Sequence, residues 1–176
     1  MSVRYNVSTL LQEPIGAVRE QAIDSRVLVG DEPTVERVHG AATLLRTKAG
    51  VLVTAGLQGT SHDQCSRCLK AVDVPMRLAI REEFAASVDA NTGMALPAPE
   101  DPDMFRIDAS HMLDLEEAIR QTWTAVLPMK PLCRPDCAGL CPRCGRDLNL
   151  GACGCRPEAD ERWSALRALA HELERK

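Results

Sequence analysis

Aromatic side chains are scarce. Tyr5, Phe84, Phe105, Trp123 and Trp163 are the whole set, 3% of 176 residues. A platform of stacked rings, the usual grip on single-stranded nucleic acid, is therefore not supported. Long apolar runs are missing too, and none approaches the ~20 residues that cross a bilayer. The opening residues, MSVRYNVSTLLQEP, show no basic stretch followed by an apolar run and a small-residue cleavage site. A cytoplasmic protein without a membrane partner is expected. Positive charge is in deficit, with 21 Lys and Arg against 25 Asp and Glu. That argues against a generic phosphate-coating protein. There is no glycine-rich phosphate loop, no His-Glu-x-x-His and no Gly-x-Ser-x-Gly, and His39, His62, His111 and His171 stand in no nucleophile–base pattern. No catalytic residue, no enzyme activity and no small-molecule substrate are expected.

What is present begins with an α+β pattern. From Val35 the chain reads as strands, with Thr47-Lys48-Ala49-Gly50 as a turn and Val72, Val74, Met76, Leu78 and Ile80 alternating against polar neighbours. This predicts an antiparallel β-meander over 35–85, with Cys65 and Cys68 in the turn between its last two strands. Residues 1–33 carry little signal beyond a strand at Val27–Val29. Residues 86–104, rich in Pro and acids, read as a loop. Phe105–Ile107 reads as a short strand. Met112, Leu115, Ile119, Trp123 and Val126 mark the apolar face of a helix over about 110–126, capped by Asp108 or Ser110 and ended by Pro128. After Pro157, residues Trp163, Leu166, Leu169, Ala170 and Leu173 form the stripe of a second amphipathic helix. The organisation expected is an α+β unit over 1–128, a cysteine-rich segment over 129–156 and a C-terminal helix over 157–176.

Eight cysteines fall in four pairs: Cys65/Cys68, Cys133/Cys137, Cys141/Cys144 and Cys153/Cys155. In a reducing compartment, closely spaced thiolates are metal ligands more often than disulfides. Four pairs predict two closed tetrahedral sites of four cysteines each, holding two structural zinc ions, with no position left for a reactive water. Residues 131–156 have almost no apolar periodicity, so such a staple is what would hold them. The favoured pairing joins Cys141 and Cys144 to Cys153 and Cys155, since only eight residues separate those pairs. Cys133 and Cys137 then join Cys65 and Cys68. The alternative places Cys133 and Cys137 with Cys141 and Cys144. His62, just before the first pair, is a candidate substitute ligand. A thioredoxin-like redox pair at Cys65/Cys68 fits poorly, because strands flank it where a helix should follow.

Charge is segregated. Residues 82–118 hold ten acids and one base, Arg106, whereas 129–156 hold five bases and two acids. Arg67 and Lys70 beside the first pair, with Lys130, Arg143 and Arg146 beside the others, are candidate nucleic-acid contacts, because rigid turns displaying Arg suit phosphates. The competing reading is that they solvate the loops and offset the charge of two zinc–thiolate centres.

The ordered motifs resemble one family. They are Cys65-Ser-Arg-Cys68-Leu69 with an alternating strand to Glu83-Phe84; Asp108 to Glu117, Leu127-Pro128 and Pro131-Leu132-Cys133; Cys137-Ala138-Gly139-Leu140-Cys141-Pro142-Arg143-Cys144-Gly145; Asp147-Leu148-Asn149; and Cys153-Gly154-Cys155. Together they resemble the YceD family, the large ribosomal RNA subunit accumulation proteins, over about residues 35–173. The resemblance implies a non-enzymatic role in accumulation or processing of large-subunit (23S) ribosomal RNA. The partners implied are that RNA, a basic large-subunit ribosomal protein, or both. It supplies no catalytic residues. The alternative function is a zinc-ribbon module for protein interaction or transcription.

Overall fold

The computed structural model describes residues 3–29, 34–155, 161–163 and Leu166. The elements in chain order are β1 (Arg4–Asn6), α1 (Ser8–Gln12), β2 (Val18–Val29), β3 (Thr34–Arg46), β4 (Gly50–Gln64), β5 (Ala71–Ala86), β6 (Phe105–Ile107), β7 (Met112–Asp114) and α2 (Glu116–Val126). Short 3-10 turns follow at Leu148–Leu150 and Glu161–Trp163. Strands β2 to β5 form an antiparallel meander, and β6 adds in parallel beside β5. β1 pairs antiparallel with β7 in a separate two-stranded sheet. The fold is thus α+β with a mostly antiparallel sheet, and the described residues include the helices α1 and α2 and two cysteine clusters. No helix among the described residues is long and apolar enough to cross a membrane.

Strand alternation builds the core. Ile23 and Val27 of β2, Val38, Ala42 and Leu44 of β3, Val53, Ala55 and Leu57 of β4, and Met76, Leu78 and Ile80 of β5 are all buried. Their alternate neighbours, among them Asp24, His39, Gln58 and Arg77, are exposed on the opposite face. That is the period-2 signature of a half-buried sheet. Leu10 and Leu11 of α1 and Ala118, Ile119 and Trp123 of α2 complete the core. Trp123 lies directly on the sheet: a Cβ at Gly59 would sit 2.7 Å from its ring.

Two elements differ from the sequence reading. The meander begins at Val18, one long strand earlier than 35–85 implies, because β2 pairs with β3 over its whole length from Val18↔Leu45 to Val29↔Thr34. The helix expected over about 110–126 is α2, and it starts at Glu116. Asp108 Oδ1 accepts from the N–H groups of Ser110 and Met112 at 2.8 and 2.9 Å, and His111 follows at φ +59°. That turn sends Met112–Asp114 into β7. Asp114 Oδ1 then receives the Glu116 N–H at 2.9 Å and opens the helix. The expected C-terminal helix over 157–176 lies outside the described residues, except that 161–163 form a 3-10 turn and Leu166 is helical.

The meander also sets up the cysteine region. β4 and β5 are 15 and 16 residues long, and their shared end presents the turn 65–70. α2 ends at Val126, and the returning chain docks against that turn: Ser66 N–H donates to Pro131 O at 2.8 Å.

Candidate metal centres

Each of two Cys-x-x-Cys segments folds into the same tight knuckle. In the first, Leu69 N–H donates to Cys65 O at 2.9 Å and Cys65 N–H donates to Lys70 O at 2.8 Å. In the second, Gly145 N–H donates to Cys141 O at 2.9 Å and Cys141 N–H donates to Arg146 O at 2.8 Å. The residue after the second cysteine is left-handed in both, at φ +59° for Leu69 and +70° for Gly145. Glycine takes this conformation freely, while a leucine there costs roughly 1–2 kcal/mol. Leu69 holds it with a side chain that is largely exposed.

The knuckle gathers N–H groups around sulfur. The N–H groups of Cys133 and Cys68, with that of Arg67, hold the Cys65 thiol down at about 6. Those of Cys144 and Arg143 do the same at Cys141, again about 6. Cys155 is pushed the other way, to about 12, by the neighbouring sulfurs of Cys144 and Cys153. Each cluster thus combines stabilised thiolate with crowded thiol, and a cation relieves such crowding.

The structure brings the four pairs together as two sets. The sulfurs of Cys65, Cys68, Cys133 and Cys137 lie within 4.8 Å of one another, as do those of Cys141, Cys144, Cys153 and Cys155. No disulfide joins any of them, and Cys65, Cys68, Cys137 and Cys141 are buried. In the first set the Sγ separations are 3.8 Å for Cys65–Cys137 and 3.6 Å for Cys68–Cys133. Four thiolates around zinc at ~2.3 Å would stand about 3.8 Å apart in a regular tetrahedron. Both clusters could hold a metal ion, and their donor set and spacing are compatible with zinc. The first spans the fold, joining the β4–β5 turn to the segment after α2. The second closes within one loop. His62 stays apart: its Nδ1 lies 2.7 Å from Asp73 Oδ1, on the exposed sheet face.

All five candidate basic residues, Arg67, Lys70, Lys130, Arg143 and Arg146, are exposed. Arg67 Nη1 donates to Cys137 O at 2.8 Å, and Lys70 Nζ pairs with Asp147 Oδ2 at 2.6 Å. Both tie the first knuckle to the 137–147 segment, which carries the second. Gly139 makes that docking close. It sits at φ +76°, and a Cβ there would lie 3.0 Å from Arg67 O. Leu140 N–H donates to the same carbonyl at 3.1 Å. Reading by residue type alone gives no role to Asp147 and Asn149. Their only signal is position within a motif, the Asp-Leu-Asn between the last two cysteine pairs. In the structure Asp147 Oδ1 caps the 3-10 turn by accepting from Asn149 N–H at 2.9 Å.

Known proteins resemble this chain over the same region. Residues 53–170 match the family described as large ribosomal RNA subunit accumulation protein YceD. Uncharacterized proteins of Mycobacterium bovis and Mycobacterium tuberculosis are 32% identical over 148 residues, 82% of this chain and 63% of theirs. One from Mycobacterium leprae is 30% identical over 116 residues, 66% of this chain and 51% of its own. The chain therefore spans only about half to two thirds of the length of these relatives. No solved structure matches it. The matched stretch runs from β4 through both cysteine clusters, and on that ground the chain belongs to the YceD family.

Proposed function

We propose that this protein is a non-enzymatic ribosome-biogenesis factor. It promotes accumulation or processing of large-subunit ribosomal RNA and acts as a binding scaffold. Cys65, Cys68, Cys133 and Cys137 hold one structural zinc ion, and Cys141, Cys144, Cys153 and Cys155 hold a second. Metal contributes folding energy here, because a segment so poor in apolar residues has little else to order it. The observation that carries the reading is the second knuckle. It places Arg143 and Arg146 exposed on a turn closed by two backbone hydrogen bonds and four convergent sulfurs. A preordered guanidinium loses less freedom on meeting a phosphate than one on a mobile loop. Lys130 adds a third exposed cation.

The test is RNA binding measured across a salt series with zinc-loaded protein. Arg143→Glu combined with Arg146→Glu should weaken binding to large-subunit RNA fragments and reduce the salt slope by about 1.8, at about 0.9 per phosphate contact. An unaltered slope returns these residues to a solvating role. Native mass spectrometry of reduced protein should show two zinc ions, and a metal-free, disulfide-bonded chain would contradict the scaffold. A second partner is favoured by the loop between β5 and β6, where Glu100, Asp101 and Asp103 are exposed. A basic large-subunit ribosomal protein is the complementary surface, and a pulldown that loses it on charge reversal of those three acids would assign this loop.

A further inference from the structure

The two clusters share a residue. Asn149 lies in the 3-10 turn Leu148–Leu150, inside the loop between Cys144 and Cys153 that closes the second cluster. Its side chain leaves that loop and reaches the first cluster. Nδ2 lies 3.5 Å from Cys137 Sγ. Oδ1 accepts from Ala138 N–H at 2.8 Å and from Arg134 Nη2 at 2.7 Å. Both of those groups are donors only, so the oxygen faces them and the amide nitrogen must face the sulfur. Asp147 Oδ1 takes the other Nδ2 hydrogen at 2.7 Å and fixes the amide plane. All the donors and acceptors of one side chain are thus committed. They bridge a sulfur of one centre to the turn that belongs to the other.

We propose that Asn149 is a positioning residue that couples the two centres. The inference rests on reading both clusters as metal sites. Filling of Cys141, Cys144, Cys153 and Cys155 orders the loop 145–152 and holds the Asn149 N–H against Cys137. That hydrogen bond offsets thiolate charge and orients the sulfur, so the first centre retains its metal more tightly. Partners of this kind are typically worth about 10–100-fold in metal affinity. By linkage, the first centre returns the same factor to the second.

The experiment uses the full chain loaded with zinc and titrated with a chelator. Pulsed alkylation, read by peptide mass spectrometry, scores Cys65, Cys68, Cys133 and Cys137 separately from the other four. Asn149→Asp keeps an oxygen for Ala138 and Arg134 but removes the N–H aimed at sulfur. It should make the first centre release zinc at about 10–100-fold lower chelator concentration. Cys153→Ser with Cys155→Ser, which leaves Asn149 intact, should do the same by a comparable factor. Combining all three substitutions should add little more. A first-centre midpoint that ignores the loss of the second centre overturns the coupling. So do factors that simply multiply in the triple variant. In either of those cases two bound zinc ions leave the metal reading standing. Wild-type protein that retains no zinc in either cluster ends both.

Discussion

His62 shows how a residue beside a cluster can be kept out of it by its own strand neighbour. It faces Asp73 across β4 and β5, and Nδ1 sits 2.7 Å from that carboxylate. The hydrogen bond to Asp73, followed by the attraction of Glu36, raises the imidazole above its ordinary 6.5. The charged form is the favoured one in the fold. Its stabilising contribution is therefore complete below about 6.5, the unfolded value, and is lost as pH rises through the raised native value. Both groups are exposed, so screening keeps that contribution small. The expected outcome is an NMR titration of His62 with a midpoint above 6.5, shifted back down by Asp73→Asn. A midpoint that the substitution does not move would remove Asp73 as the cause.

Among the elements, contact between α2 and the sheet depends on a missing side chain. Trp123 is 1% exposed and stands over Gly59 of β4. A methyl at Gly59 would meet the indole at 2.7 Å and Arg37 O at 3.0 Å. Gly59→Ala should therefore destabilise by about 1–3 kcal/mol, the usual cost of overpacking. Gly56→Ala on the same strand, with nothing within 4 Å of the added methyl, should leave chemical denaturation close to wild type. Equal midpoints for the two variants would contradict this packing. The elements also differ in how openly the sequence announces them. β5 was legible because Val72, Val74, Met76, Leu78 and Ile80 alternate against polar neighbours, whereas β3 and β4 were announced by the turn at Thr47–Gly50 between extended stretches. β2 was legible only at its end, Val27–Val29, because Gln21 and Ser25 share the core-side row with Ile23, Val27 and Val29 and dilute the period. β7 was hidden for another reason. Met112 and Leu115 keep helical spacing with Ile119, and nothing local announces that Met112–Asp114 will pair with β1 at the far end of the chain. The cysteines were legible as pairs by spacing. The side chain that links them, Asn149, has a role set by three-dimensional reach and not by residue type.

At the scale of the whole molecule, the two clusters differ in what they enclose. Between Cys68 and Cys133 lie β5, the acidic loop, β6, β7 and all of α2. A cross-link there restrains a loop spanning 65 positions, worth about 4 kcal/mol by the chain-entropy relation. It also fixes the exit of α2 against the β4–β5 turn, where Ser66 meets Pro131 and Arg67 meets Cys137 and Leu140. Metal at Cys65, Cys68, Cys133 and Cys137 is therefore expected to stabilise the sheet and helix together, since unfolding the core frees the same loop. Cys65→Ser removes a buried ligand from this centre and should lower the main melting transition by roughly 10 °C, at about 2–4 °C per kcal/mol for a chain of this length. Chelation of wild-type protein should produce a similar shift and add little to the variant. Cys153→Ser acts on a site closed within one loop, and its effect reaches the core through the Asn149 bridge and the Lys70–Asp147 ion pair. The shift it causes should be half as large or less. If Cys65→Ser melts with wild type while Cys153→Ser does not, the stabilising centre is the local one, and the long-range tie between the sheet and the segment after α2 has no energetic role.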